Sequence, residues 1–335
     1  MKKYFYKSSM LALFAGVLLT SCDPEIDAPA SSAGQADFSS YIAVGNSLSA
    51  GYADNGLYRE GQLASVPAIL AEQFEAVGGG EFEQPLFSEA QANGSGYLRL
   101  TGFTPQGSPI TQPVTSNLAI RGVNAQGSPL YTKYTETVNN LAVPGIRTAD
   151  IKTQGYGSTQ GNPYFERLTD NPMQTYLQYV QAQAKAVNHT FFSVWMAEND
   201  VLGYATSGGF SGALTEVGVF EENYSDLVNA LTANGEKGIA VTIPNVTAIP
   251  FFTTVGPSVK AALQARGVVA IAALTKNTPE RIPLMVDNIK SATGGTLLFP
   301  LTASAYAQLI GTPTGKPWRD IAKGNQATLQ GLLGA

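Results

Sequence analysis

Tyr41-Ile42-Ala43-Val44-Gly45-Asn46-Ser47-Leu48-Ser49-Ala50-Gly51 is the stretch on which the reading of the fold turns. A β-prone apolar run ends at a glycine, and a serine follows among small residues. That order suits a strand closing in a tight turn, with the Ser47 hydroxyl held out at the carboxyl edge of a sheet. Small neighbours keep backbone N–H groups bare, as a serine that meets a substrate requires.

Downstream, residues 65–74 read as a helix. Ser65 caps it, Pro67 sits in its first turn, and Ile69, Leu70 and Phe74 form the expected buried stripe before Gly78-Gly79-Gly80. Residues 94–137 behave differently. Segments 97–100, 117–120 and 130–134 have strand character, and Gln106-Gly107-Ser108-Pro109 recurs as Gln126-Gly127-Ser128-Pro129. This region reads as a β-hairpin or small-sheet insertion beside the serine, able to shape a cleft.

The second half alternates. A helix is expected from Asp170-Asn171-Pro172 with Leu177, Val180, Ala184 and Val187 at helical spacing, then a buried strand at 190–196 running into Ala197-Glu198-Asn199-Asp200. A helix at 215–233, a core strand at 238–244, a helix at 259–275 and a fifth strand at 294–299 follow. Such alternation argues for an α/β fold, a three-layer flavodoxin-like parallel sheet covered on both faces, with ligands outside the carboxyl ends of its strands.

Composition narrows the class. The chain has 335 residues, a net charge of −5, 44% hydrophobic and only 13% charged residues, which is long enough for a large core and fits an exported protein. Nothing is basic enough to suggest nucleic acid. One cysteine, Cys22, forbids an intrachain disulfide, and one histidine, His189, leaves no metal site legible and no cofactor implied.

The amino terminus reads as a targeting segment. Lys2, Lys3 and Lys7 precede an apolar run at 10–19 that is too short to span a bilayer. Leu19-Thr20-Ser21-Cys22 resembles the lipobox of bacterial lipoproteins. The resemblance implies a signal peptide at 1–21, lipidation of Cys22, and a protein anchored to a membrane of the cell envelope. Residues 22–37, rich in Asp, Pro, Ala, Ser and Gly, read as a flexible tether, and the folded domain is expected at 38–335, starting near Phe38.

Three blocks carry a second resemblance. Gly45-Asn46-Ser47-Leu48 resembles the Gly-Asp-Ser-Leu nucleophile block of the SGNH/GDSL hydrolases, with Asn for Asp. Asn140 to Gly145 resembles the family's second block, and Ala197-Glu198-Asn199-Asp200 its Gly-x-Asn-Asp block, with Ala for Gly. The resemblance implies an SGNH-type fold and hydrolysis of an ester in a small molecule, lipid or glycan. Ser47 would be the nucleophile, with the N–H groups of Ser47 and Gly145 and the amide of Asn199 holding the oxyanion.

The family's closing Asp-x-x-His block has no counterpart. His189 precedes the strand that leads to Asn199, so it is expected about 23 Å away, at seven residues of ~3.3 Å each, on the opposite edge. Glu198 and Asp54 are the other candidate bases, and no sequence feature positions either. Two expectations follow: a chain incomplete at its carboxyl end, or a lipoprotein that binds glycan or lipid in the same cleft without turnover.

Overall fold

The structure, a computed structural model, describes residues 31–105, 109–209, 212–275, 278–307 and 310. The signal peptide, Cys22 and the last twenty-five residues lie outside the described residues. In chain order the strands are β1 (Tyr41–Gly45), β2 (Tyr97–Phe103), β3 (Pro109–Val114), β4 (Ile120–Val123), β5 (Pro129–Tyr131), β6 (Phe191–Trp195), β7 (Lys237–Ala240), β8 (Ala270–Thr275) and β9 (Thr278–Met285). The helices used below are α1 (Ser47–Ala50), α2 (Val66–Glu75), α3 (Tyr176–Val187), α4 (Glu198–Thr206), α5 (Val217–Leu231) and α6 (Val255–Ala265).

A parallel sheet in the order β1-β6-β7 carries the architecture. Tyr41 pairs with Phe191 and Gly45 with Trp195, so β1 and β6 end at the same level. Residues 139–143 run along the free edge of β1. Ala43 N donates to Asn139 O at 2.8 Å, Leu141 N to Ala43 O at 2.8 Å and Val143 N to Gly45 O at 3.0 Å. These bonds make the segment a short fourth parallel arm, on the far side of β1 from β6.

Side-chain alternation on β1 feeds two cores. Ile42 and Val44 join Phe192 and Val194 against Tyr176, Val180 and Ala184 of α3 and Leu227 and Leu231 of α5. Tyr41, Ala43 and Phe191 pack on Ala71 of α2, with Phe38, Phe74 and Phe82 around them. Phe38 stacks on Phe74 at 4.0 Å. The result is helix, sheet, helix. Truncating Ile42 or Val44 to Ala is worth about 2–5 kcal/mol at such fully buried sites.

The insertion is two antiparallel hairpins rather than one, β2-β3 and β4-β5. The sequence echo falls between the two strands of each hairpin. Pro109 and Pro129 each open a return strand, where a missing N–H is tolerated. Residues 106–108, between β2 and β3, lie outside the described residues.

Several expected elements are corrected. In α2, Ile69 is exposed, and Pro67 and Ala71 are the buried residues. Helix α3 begins at Tyr176 and not near Pro172. Thr175 caps it in a reciprocal box with Gln178, which satisfies two end groups that Asp170 does not reach. The third parallel strand is Lys237–Ala240, and all of it is exposed, so it is no core strand. The helix expected at 259–275 stops at Ala265, and β8 follows, paired with β9. Residues 294–299 form no strand, because Gly294 and Gly295 turn the chain at φ +117 and +95. Around α6, residues Val255, Val259, Leu263, Val286 and Ile289 make a separate small core.

Candidate active site

The turn after β1 is built by Asn46. Its N–H donates to Trp195 O at 3.3 Å, extending the β1–β6 ladder by one bond. Its Oδ1 accepts from Leu48 N at 3.1 Å, capping α1. Its Nδ2 donates to Glu198 Oε2 at 2.5 Å. Gly45 precedes it for lack of room: a Cβ there would lie 2.3 Å from Ser49 Oγ and 2.8 Å from Trp195 O. Ser47 is therefore the first residue of α1, half-buried, and neither its N–H nor its hydroxyl makes a hydrogen bond among the described residues.

The second arm reaches the same rim. Beyond Val143, Pro144 O accepts from Asn162 Nδ2 at 2.8 Å, and Gly145 follows, exposed at φ +83. A Cβ on Gly145 would meet only Asn162 Nδ2 at 3.6 Å, so conformation and not crowding calls for glycine. Its N–H has no backbone partner among the described residues.

The third arm follows β6. Ala197 turns the chain at φ +94, a strained value for a residue with a Cβ. Asn199 lies in the first turn of α4, and its Nδ2 donates to Ile146 O at 2.9 Å. That bond ties Asn199 to the residue after Gly145 and leaves the amide a second N–H. Asp200, fully buried, draws the same loop in: it accepts from Thr148 N at 2.9 Å and Oγ1 at 2.6 Å, and from Thr215 Oγ1 at 2.5 Å. Ser47, Gly145 and Asn199 thus sit at the carboxyl ends of three neighbouring parallel arms.

Glu198 is the acid of this rim. It is 6% exposed, and burial pushes its carboxyl above the ordinary 4.5, against hydrogen bonds from its own N–H and from Asn46. The indole of Trp195 bears on the same carboxyl without closing a full hydrogen bond, and Glu198 Oε1 is buried with no partner. Glu198 was legible as a candidate base, but its bond to Asn46 joins residues 152 apart and has no local signal in the sequence.

His189 is at the other end of β6, as its position before the strand required. Its Nε2 is 2.9 Å from Leu231 O and its Nδ1 3.3 Å from Ala184 O, both helix carbonyls. Asp54 is committed to Tyr58 OH at 2.8 Å in an exposed turn. Among the described residues no group of three His, Cys, Asp or Glu side chains converges as a metal site, and no helix is long and apolar enough to cross a membrane. Compared with known proteins, the chain matches no family model, no curated protein and no solved structure.

Proposed function

We propose that the chain is a serine-dependent ester or acyl hydrolase of the SGNH/GDSL type, with a flavodoxin-like sheet, carried on a lipoprotein anchored through Cys22 to the bacterial cell envelope. Ser47 Oγ attacks the carbonyl of a bound ester. The Ser47 and Gly145 N–H groups and the free N–H of Asn199 take up the negative charge, and the alcohol leaves with the proton that Ser47 Oγ gives up, passed to it through water. Water then releases the acyl group from Ser47 in the same cradle.

The observation that carries this reading is the hydrogen bond from Asn199 to Ile146 O, which brings a carboxamide and a positive-φ glycine to one rim with an unpartnered serine. Pre-aimed donors of this kind contribute about 10²–10³ in rate each. The only histidine of these 335 residues is turned away from the rim, so the Ser47 hydroxyl has no imidazole base here and turnover is slow. An oxyanion cradle without a complete triad retains roughly 10³–10⁴-fold catalysis over water.

The test is hydrolysis of nitrophenyl acetate by wild type, Ser47→Ala and Asn199→Ala. Slow wild-type turnover that both substitutions abolish supports the proposal. Equal rates in all three favour the second reading, a lipoprotein that binds lipid or glycan in the same cleft, for which the distance of His189 from the rim is the specific support.

A further inference from the structure

A groove of about 580 Å³ starts beside the serine turn, within the size range of small-molecule sites. Leu48 and Tyr52 form its near end, and Tyr52 N donates to Ser47 O at 2.9 Å, so groove and serine turn are one continuous backbone feature. Val66 of α2 and Leu98 and Leu100 of β2 continue it outward.

Leu98 and Leu100 are two residues apart on one strand and point to the same side. The hairpin register puts Pro113 and Thr111 opposite them, so that face of the hairpin carries no charge. Asp54, Glu60 and Arg99 also line the groove, Asp54 accepting from Tyr58 OH and Arg99 Nη2 donating to Tyr97 OH at 3.1 Å. Leu48, Val66, Leu98 and Leu100 are 43%, 40%, 38% and 52% exposed in the free protein. Folding gains little from aliphatic side chains left in that state, and a contiguous set of them marks a binding surface. Tyr58 and Tyr97 stack on each other at 4.2 Å, which covers one face of each ring, and Tyr58 OH is held by Asp54.

We infer that this groove takes the hydrocarbon chain of a medium- or long-chain acyl group whose carboxyl end lies at Ser47, with the β2-β3 hairpin as its outer wall. The inference rests on the hydrolase reading for the placement of the carboxyl end. The groove itself is tested without turnover.

The experiment titrates the Ser47→Ala protein with a fluorescent long-chain fatty acid and displaces it with butyrate, octanoate and dodecanoate. Affinity is expected to rise with chain length, by about fourfold per methylene while the groove fills, the equivalent of ~0.8 kcal/mol per buried CH₂. The Leu98→Asp/Leu100→Asp double variant is expected to lose at least tenfold in dodecanoate affinity with an unchanged unfolding midpoint, since both side chains are already exposed. Val123→Asp, an exposed apolar residue on β4 outside the groove, is the control and is expected to bind as the parent does. Affinity independent of chain length, undiminished binding in the double variant, or displacement by neutral oligosaccharides instead of fatty acids overturns the inference. If fatty acids bind in the groove while acetate ester hydrolysis is the same with and without Ser47, the hydrolase reading falls and the groove stands.

Discussion

Asn46 Nδ2 and Glu198 Oε2, 152 residues apart in the chain, are joined by a 2.5 Å hydrogen bond across the carboxyl ends of β1 and β6. The bond fixes the residue before Ser47 to the residue before Asn199. It links the proposed nucleophile and the proposed oxyanion donor through one residue on each side. Removing Asn46 costs both a helix cap and the partner of a buried carboxyl, so Asn46→Ala is expected to destabilise by about 2–4 kcal/mol in urea unfolding.

The same pair sets a pH dependence. Burial raises the folded-state pKa of Glu198 above its unfolded value near 4.5, so the folded protein holds that proton longer. The contribution of Glu198 to stability is therefore full below about 4.5 and declines as pH rises through the folded-state pKa. The groups around the carboxyl are Asn46, Trp195, Asp200 and Tyr224. Glu198→Gln keeps an acceptor for Asn46 and cannot ionise. It is expected to be more stable than wild type at about pH 8 and no more stable at about pH 4 in thermal unfolding. The same gain at both ends would show that ionisation of Glu198 plays no part.

Gly145→Ala separates backbone strain from crowding. The positive φ costs an L-residue about 1–2 kcal/mol, while the added methyl meets nothing closer than 3.6 Å. A modest loss of stability is expected, together with a fall of roughly 10²-fold in ester hydrolysis as the 145 N–H moves off its aim. Chemical denaturation and nitrophenyl acetate kinetics on the same preparation read both.

Asp200 is a strut for the site and not a participant. Its carboxylate satisfies Thr148 and Thr215 while Asn223 Nδ2 donates to Thr148 O at 2.9 Å, so the loop carrying Gly145 is bound to α4 through Asp200 and to α5 through Asn223. Asp200→Ala leaves the buried donors of Thr148 and Thr215 without an acceptor and is expected to cost about 2–4 kcal/mol. Urea unfolding checks it.

His189 offers the converse. Its two ring nitrogens face helix carbonyls at the amino end of β6. His189→Gln is expected to lose about 1–3 kcal/mol of stability and to leave the Ser47-dependent ester rate within about twofold, where removal of a true general base costs 10²–10⁴. Parallel unfolding and rate measurements decide it.

The rim was legible in the sequence because each arm announces itself locally. An apolar run stops at Gly45, another at Pro144-Gly145 and a third at Ala197, and polar residues follow each. The later part was not legible, for identifiable reasons. Alanines in the run from Val268 to Leu274 favour helix, but Gly267 at φ +69 ends α6 and pairing with β9 decides the rest. Pro279 and Pro283 argue against a strand at 278–285, yet a two-stranded hairpin has open edges that tolerate them. Pro172 resembled a helix start, and the reciprocal Thr175–Gln178 cap proved the stronger signal. The Asn46–Glu198 bond is a contact between distant residues that no local period encodes.

The most direct measurement is site-resolved mass spectrometry after exposure to a fluorophosphonate, which captures a serine whose attack is supported by an oxyanion cradle. The expected result is slow phosphonylation confined to Ser47, absent in Ser47→Ala and slowed at least tenfold in Asn199→Ala. Labelling of other serines at the same rate, or of Ser47 undiminished without Asn199, would contradict it.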